Sequence, residues 1–306
     1  MEAMTPSITI GITVFHNPMR LRKLLQVLDH QGQLDAFGAV PVRVFQDPWD
    51  KYPEDDKMYA RICRDANVEY HRLPHWSCMQ GSIQFAVEHS PEDWFIYLPD
   101  DVLPAKGALD SVIKWCSIYD PAPVGAFQIP YWNADELPSP PWQHKDEMWT
   151  MDISWLEKVP RNPHWDGTAK PNTGGRPYPY VNLNGAGFAL RRSTWKAVGG
   201  FSPLTWCLDE DMGAKIWLRT PQIIVTAPGP CFVHYMGGSN DHPPHEFWTK
   251  KAWLAAGWPD KDVLFDKHGI EGRDPLGLCR RAMRDRCNTI EDDDPFTLLN
   301  PWLHNV

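Results

Sequence analysis

Cysteine pairs at metal-ligand spacing are missing from this chain. The seven cysteines, Cys63, Cys78, Cys116, Cys207, Cys231, Cys279 and Cys287, include no CxxC pair and are odd in number, which argues against a disulfide framework and against a thiolate zinc site. Reduced, mostly buried thiols are expected instead. Positive charge is also short: 30 Lys and Arg stand against 39 Asp and Glu, a net charge of -9. No global field therefore draws the chain to nucleic acid or to an anionic membrane surface. No apolar run is long enough to span a bilayer, and Met1 to Thr5 offer no basic start followed by an apolar core, so the expectation is a cytoplasmic protein. Internal repeats and low-complexity tracts are absent too. Proline and tryptophan are plentiful, at 30 and 16 of 306 residues, and they gather in the middle and C-terminal thirds, where loops with aromatic surfaces are expected. A hydrophobic content of 42% suffices to bury a sizeable core.

The first hundred residues alternate strand and helix. Ser7 to Phe15 is short and β-branched, the mark of a buried strand, and His16-Asn17-Pro18 turns the chain into a helix over Met19 to Leu28. Leu21, Leu24, Leu25 and Leu28 recur on one face of it, with Arg20, Arg22 and Lys23 expected on the outer face. Strands are predicted over Val40 to Phe45, Asn67 to Arg72 and Trp94 to Leu98, and a helix over Ser82 to Glu88. Such alternation means parallel pairing with right-handed crossovers, and ligands of such sheets gather beyond the carboxyl ends of the strands. Phe15, Asp47 and the Asp100-Asp101 pair all fall at those ends. Further along, Ala105 to Ile118 reads as a helix and Val124 to Ile129 as a strand. Residues 130–180 dissolve into Pro, Trp, Asn and Gly, a loop long enough to suggest function or disorder. Regular structure returns over Val181 to Leu190 through Asn184-Gly185-Ala186-Gly187. A helix capped by Ser193 and closed by Gly199-Gly200, a helix over Leu208 to Leu218, a strand over Ile223 to Thr226 and the stretch Cys231 to His234 follow.

Four segments carry chemistry. Asp100 and Asp101 end an apolar strand; two adjacent like charges are eased by a divalent cation between them and an anionic ligand such as a diphosphate, although the pair also suits a solvated turn. Asp209-Glu210-Asp211 open a helix, where the macrodipole favours acids; beyond ordinary capping, one of the three is placed to act as a general base. His234 precedes Gly237-Gly238-Ser239, a loop whose amides suit phosphate oxygens, and imidazole is a common metal ligand. A zinc site from His234, His242 and His245 is the alternative there. Asp47 ends the second strand, either as a turn residue before Pro48 or as an acceptor for a base or ribose.

The order of these segments, from the Thr13-Val14-Phe15-His16-Asn17-Pro18 turn through Asp47, Tyr97-Leu98-Pro99-Asp100-Asp101, Gly185-Ala186-Gly187 and Asp209-Glu210-Asp211, resembles the GT-A fold glycosyltransferases, family 2 in particular. The resemblance covers about Ser7 to Ser239. It implies an α/β fold, a mostly parallel Rossmann-like sheet flanked by helices, here with long Pro- and Trp-rich loops. A catalytic domain over 1–240 is implied, with a nucleotide-binding half over 1–104 and an acceptor half over 105–240, leaving 241–306 as a helical or loop extension. It further implies a nucleotide-diphosphate sugar donor, Mn2+ or Mg2+, and single-displacement, inverting transfer to an acceptor hydroxyl. Carried over, Thr13 and Phe15 line the nucleobase pocket and Asp47 binds the base. Asp100 holds the ribose or a metal-bound water, Asp101 and His234 ligate the metal, and Gly185 and Gly187 border the donor sugar. Asp211 is the base, with Glu210 second in line or on the acceptor, and Trp206 and Asp209 face the acceptor. Family members often carry three acids where Pro99-Asp100-Asp101 stand here, and a second aspartate after the first at the end of strand two, where this chain has Gln46-Asp47-Pro48.

The acceptor stays open among a soluble glycan, a metabolite, a protein and a modified DNA base. Trp132, Trp142, Trp149, Trp155, Trp165 and Trp206 suit stacking on a sugar or base as well as packing, and Arg280, Arg281, Arg284 and Arg286 form a basic cluster. Two competing readings are a nucleotidyltransferase, which would want a Gly-rich phosphate loop after strand one, and a noncatalytic sugar-binding module, which would have no need for the acids.

Overall fold

The computed structural model describes residues 7–32, 40–48, 52–118, 123–125, 128–130, 156, 178–179, 183, 185, 187–201, 208–226 and 232–234. The expected Trp stacking positions, Asp209's neighbour Trp206, the histidines 242 and 245 and the C-terminal arginine cluster lie outside them. Strand β1 (Ile8–Val14) is buried along its whole length, as its β-branched run predicts for a central strand covered on both faces. It pairs in parallel with β2 (Val42–Gln46) on one side and with β4 (Trp94–Pro99) on the other, and β3 (Glu69–Arg72) extends the parallel set beyond β2. Beyond β4 the sheet continues with β9 (Phe188–Arg191), antiparallel, then β6 (Val124–Gly125), β10 (Val225–Thr226) and β8 (Tyr178–Pro179). Among the described residues this makes an eight-stranded, mostly parallel sheet. A second sheet of three short strands sets β11 (Phe232–His234) between β5 (Val102–Pro104) and β7 (Gln128–Pro130).

Alternation along the strands sorts the core into two layers. Trp94, Ile96 and Leu98 of β4 pack with Ile10 and Ile12 against α1 (Pro18–His30), α2 (Pro53–Asp65) and α4 (Ala108–Ile118). The intervening Phe95 and Tyr97 pack on the opposite face against α3 (Cys78–Glu88), α5 (Arg192–Val198) and α6 (Leu208–Arg219). Helix α1 begins at Pro18, whose missing N–H is no loss in a first turn, and buries Leu21, Leu24, Leu25 and Leu28. Each such leucine contributes about 1.5–3 kcal/mol by leaving water.

Several local readings are corrected. Helix α2 is absent from the sequence-based outline, although Pro53 at its start and Glu54, Asp55 and Asp56 in its first turn are ordinary start signals. Its apolar stripe is thin, with Tyr59, Ile62 and Cys63 as its buried apolar residues. The single strand expected over Val124 to Ile129 is two, β6 and β7, in different sheets. The cap of α5 is Arg191 rather than Ser193, while Gly199 closes that helix in the left-handed region at φ 77° as expected. Of the three cations placed outward on α1, Arg22 is exposed, but Arg20 and Lys23 are buried, at 3% and 6% exposure.

Candidate active site

Register brings three strand ends to one rim. Thr13 of β1 lies opposite Pro99 of β4, and Val14 opposite Gln46 of β2. The ladders run one residue further: the Asp47 amide donates to the Val14 carbonyl at 3.1 Å and the Asp100 amide to the Thr13 carbonyl at 3.2 Å. Phe15, Asp47 and Asp100 consequently border one crevice, together with Thr13 and Asp101. Tyr97, Met79 and Ser82 line it as well, none of which the sequence reading singled out. Tyr97 was legible as an inward strand residue; its Oη accepts from Thr13 Oγ1 at 3.3 Å. Asp47 is 4% exposed, and its Oδ1 accepts from the Ser77 amide at 2.8 Å, which locks the carboxylate to the start of α3.

The acid pair sits where β4 passes into β5. Because β11 pairs antiparallel with β5 and sets His234 opposite Val102, a residue far along the chain arrives beside Asp101. His234 Nε2 lies 3.7 Å from Asp101 Oδ2, with 18% and 14% of the two side chains exposed. Burial opposes the Asp101 charge, yet the facing His234 and Arg20 together hold its carboxyl below the ordinary range. Asp100 behaves oppositely. Burial drives its carboxyl up to about 8; Arg20 pulls it back, Asp101 adds to the rise, and the Phe15 amide favours the charged form. Its Oδ2 is buried with no hydrogen-bond partner among the described residues.

A carboxylate facing an imidazole, next to a second carboxylate with an unsatisfied buried oxygen, is a donor set that suits a manganese-type cation. Among the described residues no cluster of three or more His, Cys, Asp and Glu is present, so Asp101 and His234 would leave most coordination positions to phosphate oxygens and water. The residues present fit such an ion.

A second device holds the same turn. His16 has φ 44°, unusual for a bulky residue, and its Nδ1 lies 2.9 Å from Asp55 Oδ2 while its ring stacks on Tyr52 with centroids 3.7 Å apart. The next amide, Asn17, donates to the fully buried Tyr59 hydroxyl at 2.9 Å. Burial first, and the Asp100 charge second, raise that phenol well above its usual range. Only the positive φ hints at this clamp, and φ cannot be read from sequence.

The remaining expected residues lie in two places. Phe188 pairs with Tyr97, so Gly187 and Gly185, just before β9, fall on the same side of the sheet as the end of β4. Asp209, Glu210 and Asp211 occupy the first turn of α6.

This architecture is the GT-A fold. GalNAc-T7, solved with UDP, GalNAc and Mn2+, is similar in structure at a TM-score of 0.57 and 13% sequence identity, over 97% of this chain and 59% of that one. The chain thus spans about three-fifths of the length of that protein. A mannosyltransferase from Pyrobaculum calidifontis, PcManGT, solved with GDP-Man and Mn2+, is similar at a TM-score of 0.46 and 14% identity, over 94% of this chain and 76% of that one. No family model matches the sequence, and no curated protein is detectably similar to it. No helix among the described residues is long and apolar enough to cross a membrane.

Proposed function

We propose that this chain is a divalent-cation-dependent glycosyltransferase that moves a sugar, with inversion, from a nucleotide-diphosphate donor to an acceptor hydroxyl. The observation that carries the reading is the Asp101–His234 pair, 3.7 Å apart and beside the buried Asp100, at the carboxyl rim of a GT-A sheet. The similarity to a protein solved with UDP, GalNAc and Mn2+ supports it.

Thr13 and Phe15 border the nucleobase, and Asp47, preset by Ser77, accepts a hydrogen bond from it. Asp100 takes the ribose side, and Gly185 and Gly187 leave room for the donor sugar. Asp101 and His234 would hold Mn2+ or Mg2+. Bound there, the ion supplies Lewis-acid neutralisation of the charge that develops on the diphosphate leaving group. Asp211 takes the proton of the attacking hydroxyl, a role typically worth ~10²- to 10⁴-fold. Glu210 is its neighbour in that role, and Trp206 and Asp209 contact the acceptor. The acceptor hydroxyl belongs to a soluble glycan, a metabolite, a protein or a modified DNA base. Residues 1–240 form the catalytic unit in this reading and 241–306 an extension, and the buried Cys63, which is in no disulfide, is in keeping with a cytoplasmic setting.

Calorimetry with a panel of nucleotide sugars, with and without Mn2+, tests the reading. Metal-dependent donor binding with slow donor hydrolysis is expected, Asp101→Asn losing the binding. Asp211→Asn should keep donor binding while its turnover falls ~10²-fold or more. Carbohydrate binding indifferent to metal and nucleotide would instead indicate a binding module and end the enzymatic reading.

A further inference from the structure

Arg20 is the surprise of the fold. It lies in the first turn of α1 and is 3% exposed, and a guanidinium does not deprotonate in a protein, so a permanent positive charge is buried there. Such a charge is tolerated only beside compensating anions. Helix α1 runs along β5, and its far end is tied to that strand by Gln31 Nε2 donating to the Pro104 carbonyl at 2.9 Å. Its first turn thereby comes up beside the junction of β4 and β5, where Asp100 is 7% exposed and the Asp101 side chain 14% exposed. The guanidinium lies near enough to favour the charged form of both carboxylates and of the buried Tyr59 hydroxyl.

We propose that Arg20 is a built-in counter-cation beneath the acid pair, which makes capture of a divalent cation depend on a nucleoside diphosphate arriving with it. One guanidinium beside two carboxyl groups leaves at most one uncompensated negative charge, fewer than the acid pair alone would present to a cation. A free dication meets that reduced field and, among the described residues, Asp101 and His234 as its ligands. A diphosphate supplies both missing elements, negative charge and hard oxygen ligands. The coupling is reciprocal: the cation strengthens nucleotide binding by the same factor as the nucleotide strengthens cation binding. Arg20 acts here through the acids as a positioning residue, without touching the donor. The inference rests on the glycosyltransferase reading of this site.

Water-proton relaxation, which distinguishes protein-bound Mn2+ from Mn2+ chelated by nucleotide in solution, provides the test without any turnover. Wild-type protein should bind Mn2+ at least about tenfold more weakly alone than with UDP or GDP, within the span usual for coupled sites. Arg20→Met should tighten nucleotide-free Mn2+ binding about five- to tenfold and narrow that gap, whereas Arg20→Lys, which keeps the charge, should behave as wild type. A merely structural role for Arg20 would move Mn2+ affinity the other way. The proposal is overturned if Arg20→Met, folded by circular dichroism, leaves nucleotide-free affinity unchanged or weaker. It is overturned equally if folded Arg20→Lys loses the nucleotide dependence, or if wild type binds Mn2+ as tightly alone as with nucleotide, two outcomes that stand even where Arg20→Met does not fold. Absence of Mn2+ binding under every condition, with any of the common nucleoside diphosphates, would instead bring down the glycosyltransferase reading itself.

Discussion

At the scale of single residues, burial sets reactivity, and Cys63 offers the most direct measurement. It is fully buried on α2, and burial pushes its thiol up to about 12. At pH 8 about one molecule in ten thousand then carries the thiolate, the species that reacts. Native protein treated with iodoacetamide at pH 8 should therefore show Cys63 unmodified by peptide mass spectrometry, with full modification once urea unfolds the chain; labelling of the native protein within minutes would refute the burial. The same burial explains which site residues were legible. Asp100 and Asp101 stood out because an apolar strand rarely ends on two acids, and His234 because it precedes the Gly237-Gly238-Ser239 loop. Arg20 gave no signal. A cation amid leucines at helical spacing ordinarily belongs to the wet face, and only carboxylates brought alongside by other elements make an inward guanidinium tolerable.

At the scale of elements, two glycines separate packing from backbone strain. An added Cβ at Gly11 in β1 would lie 2.2 Å from ring atoms of Phe95, which is fully buried on the neighbouring strand. At Gly199, the C-cap of α5 with φ +77°, a Cβ would meet nothing within 4 Å. Gly11→Ala should therefore cost about 3 kcal/mol by overpacking. Gly199→Ala should cost about 1–2 kcal/mol through its left-handed backbone. Both are read as lowered urea midpoints at unchanged slope. Adding Phe95→Leu should recover part of the Gly11→Ala loss and none of the Gly199→Ala loss; equal recovery of both would contradict the packing account. Most strands and helices were legible because their apolar periods are strong. Helix α2 was not, since its short stripe of Tyr59, Ile62 and Cys63 is overshadowed by seven charged residues in a span of thirteen. The three-residue strands β5, β7 and β11 carry too few residues for a period to show, and they exist because they pair with one another.

At the scale of the whole molecule, a site built across the sheet couples ligand binding to stability. The acid pair, the β1 turn and His234 come from separate parts of the chain, so a ligand that bridges them binds the folded state alone. A matching nucleotide with Mn2+ at a hundred times its dissociation constant should stabilise the fold by about 2.7 kcal/mol, visible as a melting shift of several degrees. Excess EDTA, or the Asp101→Asn substitution, should abolish the shift in differential scanning fluorimetry; a shift that survives both would place the ligand elsewhere. The chain by itself determined the alternation of strand and helix over its first hundred residues and the placing of Asp47, Asp100 and Asp101 at strand ends, because hydrophobic period and breaker residues are local properties. Which acid gains a partner, which cation turns inward and which histidine closes on Asp101 were decided by tertiary structure alone. Those outcomes depend on the β5–β11 register and on α1 lying against β5, and a register between distant strands has no counterpart in any local stretch of sequence.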